Sequence, residues 1–283
     1  MKKMFLLLAM LCCLQANAAK RGDVNGDNNV DVSDINIVIN EILGKGGTYN
    51  ADVNGDGTTD VSDINIVINI ILGKDVEEEH EYVDLGLPSG TLWATCNVGA
   101  EKPEDYGLYF AWGDTIGYAK DESHGFTWAD YKWCNGSYDR MTKYCTSSSY
   151  GKVDNKTALD PEDDAATANW GTGWRMPTEQ ELIDLYNSNY TTTEWVTVNG
   201  VKGRKITSKS NGNSIFLPAA GNRNGSSFGG WRSYGYYWSS SLRTNDCTHA
   251  CDLNFNSGGI DWGYNNRSCG RSVRAVRVEK AKR

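Results

Sequence analysis

The chain repeats itself near its amino terminus, and that repeat constrains the fold more than any other feature. The stretch Asp31-Val-Ser-Asp-Ile-Asn-Ile-Val-Ile-Asn-Glu-Ile-Leu-Gly44 recurs as Asp60 to Gly73, and only Glu41/Ile70 differs. Each copy is preceded by Asp-Val-Asn-Gly-Asp, beginning at Asp23 and again at Asp52. Self-similarity at a fixed offset means one small structural unit used twice.

The oxygen atoms in each copy fall at regular spacing. Asp23, Asn25, Asp27, Asp31 and Asp34 occupy positions 1, 3, 5, 9 and 12 of a twelve-residue loop, and Asp52, Asn54, Asp56, Asp60 and Asp63 repeat the arrangement. Asn29 and Thr58 stand at position 7, where a backbone carbonyl is the ligand. This is EF-hand-like spacing, in which a hard cation collects six to eight oxygens. Without a cation, the four carboxylates in each loop repel one another. An Asp/Asn/Gly-rich surface turn is the plainer reading, but it does not explain why the spacing occurs twice. Position 12 is Asp, one methylene shorter than the usual Glu. Position 6 is Asn28 in the first loop and Gly57 in the second. Asn tolerates left-handed geometry, so both loops are feasible.

A short helix should follow each loop. Ile35, Val38, Ile39, Ile42 and Leu43 recur at helical spacing as one apolar stripe, and Gly44 and Gly73 supply stops. Two such units make a small core, and metal binding would contribute much of the folding energy.

From Gly22 to Lys74 the chain resembles a type I dockerin, on the paired Asp-x-Asn-x-Asp-x-x-x-Asp-x-x-Asp loops, the loop-helix order and the near-identical halves. The resemblance implies two bound calcium ions and a cohesin partner. It places partner contacts at Val32-Ser33 and Val61-Ser62, the tenth and eleventh loop positions. Ile39-Asn40 and Ile68-Asn69 stand where many members carry a basic pair. Ile37 and Ile66 lie roughly 160 to 200 degrees off the apolar stripe. They are either core, in a module covered on two sides, or exposed partner-binding residues. The near-identity of the halves predicts a module that docks in either of two orientations.

The termini of this module are also marked. Lys2 and Lys3, the apolar run Met4 to Leu14 and Ala16-Asn17-Ala18 have the order of a signal peptide over residues 1–18, so Sec-type export is expected. Beyond it, no apolar run is long enough to span a bilayer. Acidic residues outnumber basic ones 36 to 28, for a net charge of −8, which argues against a nucleic-acid partner. The expected division is a dockerin-like module at 20–75, a charged linker at 76–81 and a second domain at 82–283.

All ten tryptophans fall in that second domain. Hairpin signals recur there: Tyr82 to Leu87 and Thr91 to Thr95 about Pro-Ser-Gly, Trp195 to Val198 before Asn199-Gly200, and Arg204 to Ser208 and Ser214 to Leu217 about Asn211-Gly212. Later strands are expected at Tyr236 to Ser240, Ala250 to Phe255 and Ser272 to Val278. Thr178-Glu-Gln-Glu181 is a capping box that opens one helix. The chain is therefore multidomain: a small all-α calcium-loop module, then a larger α+β, strand- and loop-rich domain.

Trp174-Arg-Met-Pro-Thr-Glu-Gln-Glu-Leu182, Tyr237-Trp-Ser-Ser-Ser241, Ser272-Val-Arg-Ala-Val-Arg277 and the opening Val83 to Ala94 resemble the Fibrobacter major paralogous domain family. The wider resemblance is to the C-type-lectin-like and formylglycine-generating-enzyme-like fold. These motifs determine fold and do not define an activity. Six cysteines lie here, Cys96, Cys134, Cys145, Cys247, Cys251 and Cys269, an even number that favours disulfides in an exported chain. Cys247-Thr-His-Ala-Cys251 is the one candidate thiol–imidazole cluster. The acidic run Asp160 to Asp164 reads as a solvated loop. Most tryptophans are expected in the core, with Trp231 and Trp262 the candidates for a glycan-binding platform.

The leading expectation is a secreted or cell-surface protein. It docks by a calcium-dependent dockerin–cohesin contact and displays a lectin-like binding domain in a polysaccharide-binding or polysaccharide-degrading assembly. The alternatives are an enzyme with an unrecognised site in the C-terminal domain, either a glycoside hydrolase hydrolysing O-glycosyl bonds or another enzyme such as a cysteine/metal oxidase, and a cell-surface adhesin.

Overall fold

The computed structural model describes residues 21–47, 49, 51–53, 58–72 and 80–278. The chain divides into two compact units, Met1–Val76 and Glu77–Arg283.

In the first unit, α1 (Val32–Ile42) and α2 (Val61–Ile71) each begin at an aspartate N-cap, Asp31 and Asp60, completed as a capping box by Asp34 and Asp63. Gly44, in the left-handed region at φ +66°, ends α1. Its N–H donates to Glu41 O (2.9 Å) and that of Lys45 to Asn40 O (2.8 Å), the paired bonds that close a helix on glycine. The core is small. Val38, Ala51 and Val67 are buried, with Val24, Val30, Ile35, Val53 and Ile64 packed against them. Gly22 is buried at φ +84°, where any side chain is strained and a Cβ would crowd Ile70 Cδ1 at 2.8 Å.

The expected apolar stripe is only partly covered. Val38 is buried and Ile35 half-buried, but Ile39, Ile42 and Leu43 remain exposed. Two packed eleven-residue helices cover only part of each stripe, and Ile39, Ile42 and Leu43 stay exposed.

The second unit is strand-rich. A three-stranded sheet pairs β1 (Tyr82–Asp84), β2 (Thr91–Ala94) and β11 (Val276–Val278), so the opening and closing strands are neighbours. A second joins β3 (Thr191–Val198), β4 (Val201–Ser208) and β5 (Ser214–Pro218). The two-residue turn between β3 and β4 has Asn199 at φ 46° and Gly200 at φ 83°, the positive pair that an Asn-Gly hairpin requires. A small ribbon pairs β6 (Asn222–Asn224) with β7 (Ser227–Gly229). A third sheet runs β10 (Ile260–Asn266), β9 (His249–Phe255), β8 (Gly235–Leu242). Two helices complete the unit: α3 (Ala165–Trp170) and α4 (Glu179–Tyr186), the latter opened by the Thr178–Glu181 capping box.

His80 and Glu81 belong to this unit: His80 stacks on Trp170 at 3.7 Å, and the Glu81 carbonyl accepts from Thr95 N at 3.0 Å. Trp93, Trp112, Trp174 and Trp238 are fully buried. Among them run three buried arginines of the closing segment. Arg267 donates through Nε to Tyr131 Oη (2.8 Å) and through its other nitrogens to the carbonyls of Tyr144 (3.0 Å), Cys247 (2.8 Å) and Lys143 (3.1 Å). Arg274 donates to Asn97 Oδ1 and to the carbonyls of Ala94, Thr95 and Phe216. Arg271 pairs with Asp252 between the Tyr236 and Trp238 rings. A buried cation is costly unless its donors are met; Arg267 and Arg274 meet theirs and so tie distant segments together, whereas Arg271 Nε finds no acceptor among the described residues.

The six cysteines correct an expectation. All are buried free thiols. Only Cys145 and Cys247 approach each other, with Sγ atoms 3.0 Å apart, and burial pushes the Cys145 thiol up to about 11. Cys96 and Cys134 instead face the carbonyls of Ala100 (3.1 Å) and Trp128 (3.0 Å). An even count predicted pairing, but the folded backbone brings only one pair close.

Candidate metal loops and docking surface

The first loop wraps backbone donors around its carboxylates. Asp23 accepts from the N–H groups of Gly26 (2.8 Å), Asp27 (3.0 Å) and Asn28 (2.8 Å). Asn25 Oδ1 accepts from Asp27 N at 2.8 Å, and Asp27 Oδ1 from Asn29 N at 2.8 Å. Gly26 and Asn28 take positive φ, 76° and 70°, so position 6 adopts the left-handed turn with an asparagine. Asp31 accepts from Ser33 N at 2.7 Å, and that bond holds its carboxyl below the ordinary range.

Asp34 closes the loop. It is fully buried, and its Oδ1 accepts from Val24 N (2.8 Å) and Asn25 N (3.0 Å) while Oδ2 accepts from Asp31 N (2.9 Å). The second loop repeats the pattern where it is described. Asp63 is fully buried and accepts from Val53 N (2.8 Å) and Asp60 N (2.9 Å), and Ser62 N donates to Asp60 (2.7 Å). Asp52 and Thr58 flank the gap, whereas Asn54 and Asp56 lie outside the described residues.

The first loop's donor set fits a hard cation. Four carboxylates, one carboxamide oxygen and the Asn29 carbonyl lie within twelve residues, and the hydrogen bonds to the carboxylates come from backbone and neutral side chains. A carboxylate offers about four lone-pair sites, so capacity remains beyond these bonds. Oxygen-only donors with this charge suit Ca²⁺ better than softer metals.

The expected docking residues divide by exposure. Val32 and Val61 are each 62 % exposed, and Ser33 and Ser62 are exposed beside them. Ile37 and Ile66 are half-buried, between the two readings the sequence left open. A further apolar surface is made by Ile39, Ile42 and Leu43, which the sequence placed on the apolar stripe, and by their counterparts Ile68, Ile71 and Leu72 in the second copy. Leu43 and Leu72 are each 60 % exposed, so the two halves present matching faces. A helical stripe without enough partners to cover it was the available signal.

In the second unit Trp231 and Trp262 are 38 % and 45 % exposed. They belong to different neighbourhoods. Trp231 lies beside Tyr106, Phe228 and Lys120, and Trp262 beside Tyr264 on β10. Cys247, His249 and Cys251 do not gather: the His249 ring faces Asp246 (3.0 Å) and Thr248, and Cys251 is buried in β9.

The acidic run is a second correction. Asp163 and Asp164 are buried in and after a 3-10 turn, Pro161–Asp163. Asp163 accepts from Lys143 (2.6 Å), Lys132 (3.2 Å) and the Tyr144 hydroxyl (2.6 Å), and Asp160 pairs with Lys143 (2.6 Å) and Lys156. Burial raises the Asp163 carboxyl, but the bonds from Lys143, Tyr144 and Lys132 outweigh it and hold the group below the usual range. Asp164 caps α3 and accepts from Met176 N, and there burial wins and raises the carboxyl. The lysines come from earlier in the chain, so no local pattern announced them. With Glu162, Asp160 and Asp163 form the one group of three metal-ligand side chains whose oxygens lie within 4.8 Å of one another among the described residues, the first-loop carboxylates lying further apart, and lysines neutralise it.

Residues 21–72 match the family model described as Dockerin type I domain. A dockerin type I domain is therefore found here. Residues 192–276 match a second model, Domain of unknown function (DUF8237). No curated protein and no solved structure matches the chain. Type I dockerin domains bind calcium, and this one supports cohesin docking in an assembly. Proteins carrying dockerins are typically extracellular or displayed at the cell surface. No helix among the described residues is long and apolar enough to cross a membrane.

Proposed function

We propose that this protein is an exported subunit that docks through its dockerin onto a cohesin and presents its second unit as a lectin-like, glycan-binding element of a polysaccharide-binding or polysaccharide-degrading assembly. Two calcium ions would be held, one by Asp23, Asn25, Asp27, Asn29, Asp31 and Asp34, the other by Asp52, Asn54, Asp56, Thr58, Asp60 and Asp63. Calcium supplies positive charge that draws each carboxylate ring together. The chain's own part is to aim the oxygens through backbone N–H bonds and to anchor each loop to its helix by the buried Asp34 or Asp63.

The observation that carries the docking half is the duplicate apolar face of the dockerin, equal in exposure on α1 and α2. Exposed apolar residues on so small a unit mark an interaction surface. Val32, Ser33 and Ile37, or Val61, Ser62 and Ile66, would contact the cohesin, in either orientation.

The test is binding to a panel of immobilised type I cohesins, with calcium and with chelator. One cohesin should capture the full chain, and chelation should release it. Exchanging Val32-Ser33 or Val61-Ser62 alone for Asp-Asp should weaken capture little, and both together strongly. Loss from one exchange alone would overturn the two-orientation reading, and capture that persists in chelator would overturn the calcium role.

Trp231 and Trp262 support the glycan half. Exposed indoles offer an apolar face with a polar edge, suited to the C–H face of a sugar ring. On this reading, a glycan array probed with the full chain should give signal that Trp231→Ala or Trp262→Ala diminishes. Binding unchanged in both variants would remove these residues from the site.

A further inference from the structure

The surroundings of Trp231 are charged in a way that narrows the ligand. Trp231, Arg232, Ser233 and Tyr234 form one exposed turn pinned at both ends. Arg232 N donates to Ala219 O (2.9 Å), Tyr234 N to Gly230 O (2.7 Å), and Gly221 N to Tyr234 O (2.8 Å). Arg232 itself sits at φ +63°. That region is costly for a bulky residue, and such strain at an exposed turn points toward function.

Two cations lie over the indole ring. Lys120 Nζ lies 4.1 Å from the Trp231 ring centroid and Arg232 Cζ 5.2 Å. Lys120 is held there by its segment: the buried Arg223 of β6 donates to Ala119 O and His124 O, both at 3.1 Å. The acids next to Lys120 in sequence are Asp121 and Glu122, and Glu122 is turned back onto Ala119 N. No carboxylate pairs with Lys120 or Arg232 among the described residues. Tyr234, 41 % exposed and stacked on Tyr236, extends the aromatic surface.

We propose that this patch binds a uronate-bearing polysaccharide strand, the sugar ring lying on Trp231 and its carboxylate meeting Arg232 and Lys120. This deepens, and rests on, the glycan-binding reading above. A uronate carries its carboxylate directly on the ring, and both cations lie within about 5 Å of the indole centroid against which that ring would pack. The planar guanidinium fork of Arg232 matches a carboxylate in two bonds.

The test uses the full chain in calcium on an array of hyaluronan, glucuronoxylan and polyglucuronate. Each is printed beside its carboxyl-reduced form, with dextran sulfate as a control for charge. At least one uronate glycan should bind about tenfold better than its reduced form. Arg232→Gln and Lys120→Gln should each lower that preference several-fold, and Trp231→Ala should remove binding to both forms. These side chains are exposed, so the variants keep the fold. Equal binding of native and reduced glycans, unmoved by Arg232→Gln, overturns the uronate assignment while the glycan reading stands. Binding to none of them, with Trp231→Ala silent elsewhere on a glycan array, overturns both. Dextran sulfate binding that survives Trp231→Ala shows charge attraction alone and likewise overturns the proposal.

Discussion

The two units bury charge by opposite means. In the dockerin, Asp34 and Asp63 are buried anions satisfied by backbone N–H groups, and the surrounding core is Val38, Ala51 and Val67. In the second unit, Arg267 and Arg274 are buried cations satisfied by carbonyls and aromatic faces, within a core that includes four fully buried tryptophans. The second set is closed, because the donors of Arg267 and Arg274 meet their acceptors within the chain. The first is open: four carboxylates in one loop leave a negative charge that only an external cation removes. An open set makes folding conditional on a ligand, whereas a closed set makes it depend on the chain alone.

The largest expected effect follows from that contrast. Chelation should abolish the helical signal of the dockerin in circular dichroism of the full chain, because the small core cannot hold the loops against their own repulsion. At calcium a thousandfold above its dissociation constant, binding contributes roughly 4 kcal/mol per site. Calorimetry should then show two transitions in calcium, of which chelator removes one and leaves the other within about 1 °C. A second transition that also moved would break the comparison. Asp34→Asn together with Asp63→Asn should reproduce chelation in saturating calcium.

The closed set is tested at Arg267. Arg267→Met strips donors from Tyr131 Oη and three carbonyls, which should cost about 3–5 kcal/mol. The midpoint of the calcium-independent transition should fall by about 10 °C. Arg267→Lys should rescue little, since one ammonium cannot span the same acceptors.

A smaller effect is expected at Lys143. Asp163 and Asp160 have lowered carboxyl pKa values, Asp163 through Lys143, Tyr144 and Lys132 against its burial, and Asp160 through Lys143 and Lys156. Groups with depressed folded values contribute stability above the unfolded pKa, near 4. That stability is lost as pH falls through the lowered folded values. The contribution of Asp160 and Asp163 should therefore be constant from neutrality to about pH 5 and weaken below it. Lys143→Gln should move the acid midpoint upward. An unchanged acid profile would show that this network contributes nothing to stability.

What the sequence revealed was local chemistry, and what it hid depended on distant partners. The loop spacing, the Asn199-Gly200 turn and the Thr178–Glu181 cap are each set within a few residues, and the structure forms the turn and the cap where the sequence placed them. Burial of Asp163 was not readable, because acidic runs are usually solvated and its lysines come from 20 and 31 positions earlier. The same holds for Arg267, whose acceptors at Tyr131, Lys143 and Tyr144 lie over a hundred residues away. Ile39, Ile42 and Leu43 have the spacing of a core stripe; their exposure follows from how little of the unit exists to cover them.

The caps provide the finest version of the comparison, since both units use the same device. Thr178 caps α4 and Asp31 caps α1, each within a capping box. Thr178→Ala removes one bond to Glu181 N, and should cost about 1 kcal/mol whether or not calcium is present. Asp31→Ala removes an equivalent bond to Ser33 N, but Asp31 also stands at the ninth loop position. Its cost should therefore contain a part that grows with calcium concentration, because the variant forfeits binding energy along with the cap. Melts of both variants across a calcium series separate the two contributions. A constant offset for Thr178→Ala beside a widening one for Asp31→Ala supports the open-loop account. Parallel offsets would mean that Asp31 is a cap and nothing more, and the first loop would have to gather its cation without it.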